Sequence, residues 1–186
     1  MNDVPHLRPV SMQVEQRLNG EHPEVMRLIS ESEQQWKALH DRLISIISAC
    51  LDEAVERGVD LEAFLGGVHR RSSVGVERLV STRPTPESVA SLLRSHHSVG
   101  EVRVGEGAVI FEHDCGSGLV HWRNNPDVAK VREGEVAGVA AGVPRYCARC
   151  IHTITAVGQG SWRVTPPRST AERCTWEVDV QPPRDR

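Results

Sequence analysis

The chain has 186 residues, 39% hydrophobic and 25% charged, the balance of a folded domain rather than of a disordered or fibrous chain. A net charge of −3 gives no basic stripe for nucleic acid, and no apolar run reaches the roughly 20 residues a membrane-spanning helix needs. With only 4% aromatic residues, the core must be built mainly from Val, Leu, Ile and Ala.

The chain opens on polar residues with Pro5 and Pro9, read as a loose arm without a secretory leader. Five cysteines without such a leader point to a reducing compartment, the cytoplasm, where clustered thiols serve as metal ligands or in catalysis more often than in disulfides. A short helix is expected over Ser11–Leu18, stopped by Asn19-Gly20. Pro23 then marks a helix start, with Glu24 in the first turn. Trp36, Leu39, Leu43, Ile46 or Ile47, Cys50, Ala54 and Val55 recur at steps of three and four, which predicts one apolar stripe on a long helix, broken near Ser30–Ser32. Asp60 caps a shorter helix, Leu61–Leu65, ending at Gly66-Gly67.

His69–Arg83 reads as a linker. Thr85-Pro86-Glu87 opens another helix, with Val89, Leu92 and Leu93 as its apolar face. Val99–Val104 and Ala108–Phe111 flank Gly105-Glu106-Gly107, the pattern of a β-hairpin. Leu119–Trp122 is expected as a further strand, and Asn124–Val143 as a loop with one or two helical turns, a lid over the site. Pro144 starts a helix that Gly158 closes. Trp162 and Val164 begin a strand, and the alternation of Cys174, Trp176, Val178 and Val180 marks the last one.

The residues with chemistry fall between Phe111 and Cys150. The second hairpin strand delivers His113, Asp114 and Cys115 to its end, followed by Gly116-Ser117-Gly118. Cys147 and Cys150 lie three apart on one helix face, in the first turn, where the dipole favours the thiolate. Cys115, Cys147 and Cys150 with His113 are the candidate metal ligands, for zinc, with iron as the other candidate. Cys174 is an alternative fourth ligand or a small core residue. His113 is also the candidate base, Asp114 the residue that orients it or a bound water, and Arg149 a carboxylate binder. His121 and His152 are weaker candidates. His96-His97, Cys50 and the tryptophans Trp122, Trp162 and Trp176 read as structural.

Residues 99–180 resemble the L-2-amino-thiazoline-4-carboxylic acid hydrolase-like proteins and share an outline with 4-vinyl-reductase-type small-ligand domains. The shared features are a strand running into Cys115, Tyr146-Cys147 opening a helix that ends at glycine, and a last strand beginning Cys174-Thr175-Trp176. Here Cys115 is followed by Gly rather than Pro, and the Cys147/Cys150 pair is an addition. The resemblance implies an α+β fold and hydrolytic opening of a small cyclic carbon–nitrogen bond, or binding of a small ligand.

The expectation is therefore an α+β protein: a helical part over 1–70, then a domain over 84–181 in which a helix crosses an antiparallel sheet and carries the cysteine site. The expected function is a metal- or thiol-dependent enzyme acting by hydrolysis or elimination at a carbon–nitrogen bond of a small molecule. The alternatives are a non-enzymatic zinc-stapled binding or accessory module and a redox dithiol at Cys147 and Cys150. The partners expected are a small molecule and a second copy of the chain through the N-terminal helices, with neither nucleic acid nor membrane.

Overall fold

Apolar and polar residues alternate along two strands, and that alternation gives the sheet one wet and one dry face. In β2 (Ala108–Asp114), Val109, Phe111 and His113 are buried while the residues between them are not. In β4 (Cys174–Asp179), Cys174, Trp176 and Val178 are buried in the same way. The computed structural model, which describes residues 7–72, 85–158 and 160–179, pairs these strands directly. β1 (Val99–Val104) and β3 (Trp162–Thr165) complete an antiparallel sheet in the order β1-β2-β4-β3. Phe111 lies opposite Trp176 and His113 opposite Cys174, so their side chains share the dry face. The wet face carries Arg103–Glu112, Arg163–Glu177 and Arg173–Glu101 ion pairs. Such exposed pairs add little stability, but they make this face compatible with water.

Six helices are described: α1 (Val10–Leu18), α2 (Pro23–Glu56), α3 (Leu61–Ser72), α4 (Pro86–Ser95), α5 (Gly118–Asn124) and α6 (Arg145–Gly158). Together with the sheet they make an α+β fold. α4 starts as its sequence dictates, with Pro86 in the first turn and the Thr85 hydroxyl accepting a hydrogen bond from the Ser88 N–H at 3.2 Å. Its Val89, Ala90 and Leu93 pack with Phe111, Trp162 and Trp176 in the core beneath the sheet. A second core joins Leu51 of α2, Leu61 and Leu65 of α3, and Ala148 and Ile151 of α6. Ile154 belongs to the first core and Ile151 to the second, so α6 is wedged between the sheet and the N-terminal helices.

Several expectations need correction. α2 runs unbroken through Ser30–Ser32, where Glu33 accepts hydrogen bonds from the Ser11 N–H and hydroxyl at 3.0 and 2.5 Å and ties α1 alongside. Its apolar stripe is also rotated. His40, Ile44, Ser48 and Leu51 are buried, whereas Trp36, Leu39, Leu43 and Ile46 are 50, 66, 53 and 50% exposed. α3 passes Gly66-Gly67 and continues to Ser72, so the first residues of the expected linker are helical; 73–84 lie outside the described residues, as does Val180. Burial of Leu61 and Leu65 outweighs the roughly 1 kcal/mol that each interior glycine costs a helix.

Leu119–Trp122 is helical rather than extended, because the turn at Gly116–Gly118 re-aims the chain and buries Leu119 and Trp122, three apart, on one face. The 125–143 segment forms turns without a helix, and it is no lid. Val131, Val136, Val139 and Val143 are buried in the second core, filling the gap between α2, α3 and α6. Arg145 at the start of α6 pins this plug in place, with carboxylate contacts to Asp52 at 3.2 Å and Glu135 at 3.7 Å.

Candidate functional site

The wedged position of α6 leaves a cavity of about 220 Å³ between it, α4 and the end of the sheet. Three sequence segments deliver thiols to its wall. Cys115 comes from the residue after β2, Cys174 from the start of β4, and Cys147 and Cys150 from the first two turns of α6. The spacing of three along α6 is what brings the last two to one face. Apolar side chains, among them Leu93, Ile154, Val164 and Trp176, make most of the remaining lining.

The electrostatics of the thiols differ from the sequence expectation. The helix dipole favours thiolates at the start of α6, but desolvation opposes it and wins. Burial pushes the Cys150 thiol up to about 12, with Cys115 adding to the shift and Arg149 opposing it. Burial raises Cys147 and Cys174 as well, again reinforced by the neighbouring cysteines. These three thiols are neutral at pH 7. All five cysteines of the chain are free. Among the described residues, no three His, Cys, Asp or Glu side chains are gathered as a metal ion requires.

Arg149 is the cation of the cavity. It is half-buried, lies over the Tyr146 ring at 5.6 Å from the centroid, and has no carboxylate partner among the described residues. Arg123, Arg145 and Arg163, by contrast, each reach an acid. A guanidinium in an apolar wall without a counter-ion is a ready site for a ligand's carboxylate or phosphate.

The expected site residues separate here. Cys115, Cys147, Cys150 and Arg149 share the cavity, and Cys174 joins them. His113 and Asp114 are absent from its lining. His113 is fully buried in the sheet layer, edge-on to Trp176 at 6.1 Å, and neither ring nitrogen has a hydrogen-bond partner. Burial lowers its pKa to about 4, against the Asp114 carboxylate and backbone, which act to raise it. Asp114 points to the wet face, where Arg123 at 2.6 Å and Arg173 at 3.5 Å hold it. His121 and His152 are also outside the lining.

Sequence reasoning missed a polar cluster behind the cavity wall. Ser117 and His96 are both in the lining, and His40 of α2 lies behind them. The Ser117 hydroxyl is 3.0 Å from His40 Nε2 and 3.1 Å from His96 Nδ1, and the two imidazoles are 3.1 Å apart. His40 Nδ1 is 3.3 Å from the Asp41 carboxylate, which Lys37 also contacts. His96 is held neutral, its pKa lowered to about 4 by burial first and by His40 and Arg149 next. The available signal was the i, i+4 relation of His40, Ile44 and Ser48, which puts a histidine on the buried stripe.

Compared with protein-family models, with curated proteins and with solved structures, the chain matches none.

Proposed function

We propose that the cavity is the active site of a small-molecule enzyme whose substrate is a compact, largely apolar acid. One observation carries this reading: Arg149 stands without a carboxylate partner among the described residues, in a mostly apolar, thiol-rich wall. Arg149 binds the substrate's anionic group, and the neutral thiols of Cys147, Cys150 and Cys174 serve as polarizable contact surface. The reaction class is hydrolysis at a carbon–nitrogen bond, as the resemblance of residues 99–180 implies. The mostly apolar wall supports it by strengthening electrostatic contacts to the reacting group. Five free thiols fit a reducing compartment, the cytoplasm.

The test is calorimetric titration with a panel of small cyclic carboxylic acids. A member that binds the wild type and loses at least about tenfold in affinity with Arg149→Leu, as loss of a charge-assisted hydrogen bond requires, supports the reading. Binding that ignores the substitution, or no binding across the panel, removes it.

A second reading is a zinc-stapled accessory module that dimerises through α2. Four cysteines on one cavity wall favour the metal, and the exposed Trp36, Leu39, Leu43 and Ile46 stripe favours the second copy. Zinc would have to displace protons from thiols that burial holds neutral, and would have to draw the sulfurs together. Native mass spectrometry reads both features at once. A zinc-loaded dimer that loses its metal in Cys147→Ser supports this reading, and a metal-free monomer sinks it.

A further inference from the structure

We propose that Ser117 is a hydrolytic nucleophile, with His40 as its general base and the Asp41 carboxylate as the group that orients His40. The inference rests on the cavity as substrate site, and it names the bond attacked: the acyl carbon of a small amide or ester, cyclic amides included.

The local backbone sets Ser117 apart from an ordinary turn serine. It sits between the end of β2 and the start of α5, at φ −99° and ψ −95°, well away from the strand and helix basins. Glycines flank it for steric reasons. A Cβ on Gly116 would lie 1.8 Å from the His96 carbonyl oxygen, and one on Gly118 would lie 2.7 Å from Cys147 Sγ. The turn is thus pressed against the α4–β1 connection on one side and the first turn of α6 on the other. The Gly116 N–H donates to the Ser98 hydroxyl at 3.4 Å. A strand–serine–helix turn held this tightly fixes the hydroxyl's position, as a nucleophile requires.

One assignment of protons satisfies the chain of contacts from Asp41 through His40 to Ser117. His40 Nδ1–H donates to Asp41 Oδ1, which leaves the Nε2 lone pair free to accept from the Ser117 hydroxyl. His96 Nδ1–H is then shared between the Ser117 oxygen and His40 Nε2, 3.1 Å from each. Residues far apart in sequence, 40–41, 96 and 117, converge with nucleophile–base–acid connectivity, and Ser117 belongs to the cavity lining.

The chemistry balances with water as the only co-reactant. Ser117 Oγ forms a bond to the substrate's acyl carbon as its proton passes to His40 Nε2. The acyl–nitrogen bond breaks, and the leaving amine takes that proton from His40. Water then attacks the acyl-enzyme, giving a proton to His40. The Oγ–acyl bond breaks, and the proton returns to Ser117 as the acid product leaves.

The test uses the full chain with p-nitrophenyl acetate and a fluorophosphonate probe, read by intact mass and peptide mapping. The expected result is one adduct, mapped to Ser117, that is absent in Ser117→Ala. His40→Gln should form it at least about a hundredfold more slowly, the usual scale of general-base catalysis. Thermal melts of both variants establish folding, and the wild-type peptide map stands even if a variant does not fold. An adduct on Cys115, or none, overturns the inference. The Arg149 titration with small acids separates this failure from failure of the cavity itself: acid binding without a Ser117 adduct leaves the substrate site standing and removes only the nucleophile.

Discussion

His40 and His113 are buried to nearly the same degree, at 4 and 0% exposure, and their surroundings are opposite. His40 has a partner on each ring nitrogen: Asp41 on one side, Ser117 and His96 on the other. His113 has none. A buried imidazole without partners forfeits its hydrogen bonds to water and gains nothing in exchange, whereas a buried network is rigid only while every member is satisfied. Burial of a histidine is therefore no guide to its role. The one with chemistry is the one whose neighbours have been arranged around it. His113 sits where the sheet placed it, opposite Gly100 and Cys174.

The strongest way to break the comparison is to disturb the wired side. Gly116→Ala places a methyl group within 1.8 Å of the His96 carbonyl and 2.7 Å of the His97 carbonyl carbon, all backbone atoms that cannot swing aside. We expect a loss of about 3 kcal/mol or more, at the upper end of overpacking costs, measured as a lower urea midpoint at unchanged slope. If Gly116→Ala melts like the wild type, the turn is not held as tightly as the structure has it, and the Ser117 geometry loses its support.

The second prediction concerns the unwired side. The His113 pKa of about 4 lies below its ordinary value of 6.5. Between these values the unfolded chain binds a proton that the folded chain excludes. The stability associated with neutral His113 is complete above pH 6.5 and is lost as pH falls towards 4. The penalty is on the order of 3 kcal/mol at the acid end, with His96 adding a loss in the same direction. His113→Leu removes the imidazole and fills most of its volume. It should match or exceed wild-type stability at pH 7 and flatten the acid limb of a Tm-against-pH curve. An unchanged acid limb would assign the titration to other groups.

The outline of this fold is written in local pattern, and the site is not. Alternation in β2 and β4, the Thr85-Pro86 start and the Asn19 and Gly158 stops depend on near neighbours, and the structure has all of them. Convergence of Cys115, Cys147 and Cys150 on one cavity was legible too, because a strand end and a helix face fix their directions. The buried side of α2 was not. Two apolar stripes run along that helix, and composition alone favoured the Trp36–Leu43 stripe over one carrying His40 and Ser48. Choosing between them requires knowing what lies alongside, which is tertiary information. The same limit hid the cluster at Ser117, assembled from residues 40, 96 and 117. It also reversed the thiol pKa reading, because desolvation depends on the whole surroundings and the helix dipole only on the helix.

The smallest expected effect on stability falls on the outermost member of the wired side. Asp41 is partly exposed and shared between Lys37 and His40, with Lys37 the stronger of the two in lowering its pKa. Replacing it with Asn keeps an oxygen within reach of His40 Nδ1–H, and exposed pairs of this kind contribute about 0–1 kcal/mol, so Asp41→Asn should melt within a few degrees of the wild type. Its effect on Ser117 should be larger. The amide can turn either its oxygen or its NH2 towards Nδ1, so it no longer enforces the His40 tautomer whose Nε2 lone pair faces the hydroxyl, and the imidazolium formed when His40 takes the proton loses its counter-charge. Asp41→Asn is therefore expected to slow p-nitrophenyl acetate acylation by tenfold or more while leaving small-acid binding at Arg149 unchanged. Acylation at the wild-type rate would make Asp41 a partner of Lys37 alone. His40 would then be wired on the Ser117 side only, and the contrast with His113 would be one of degree.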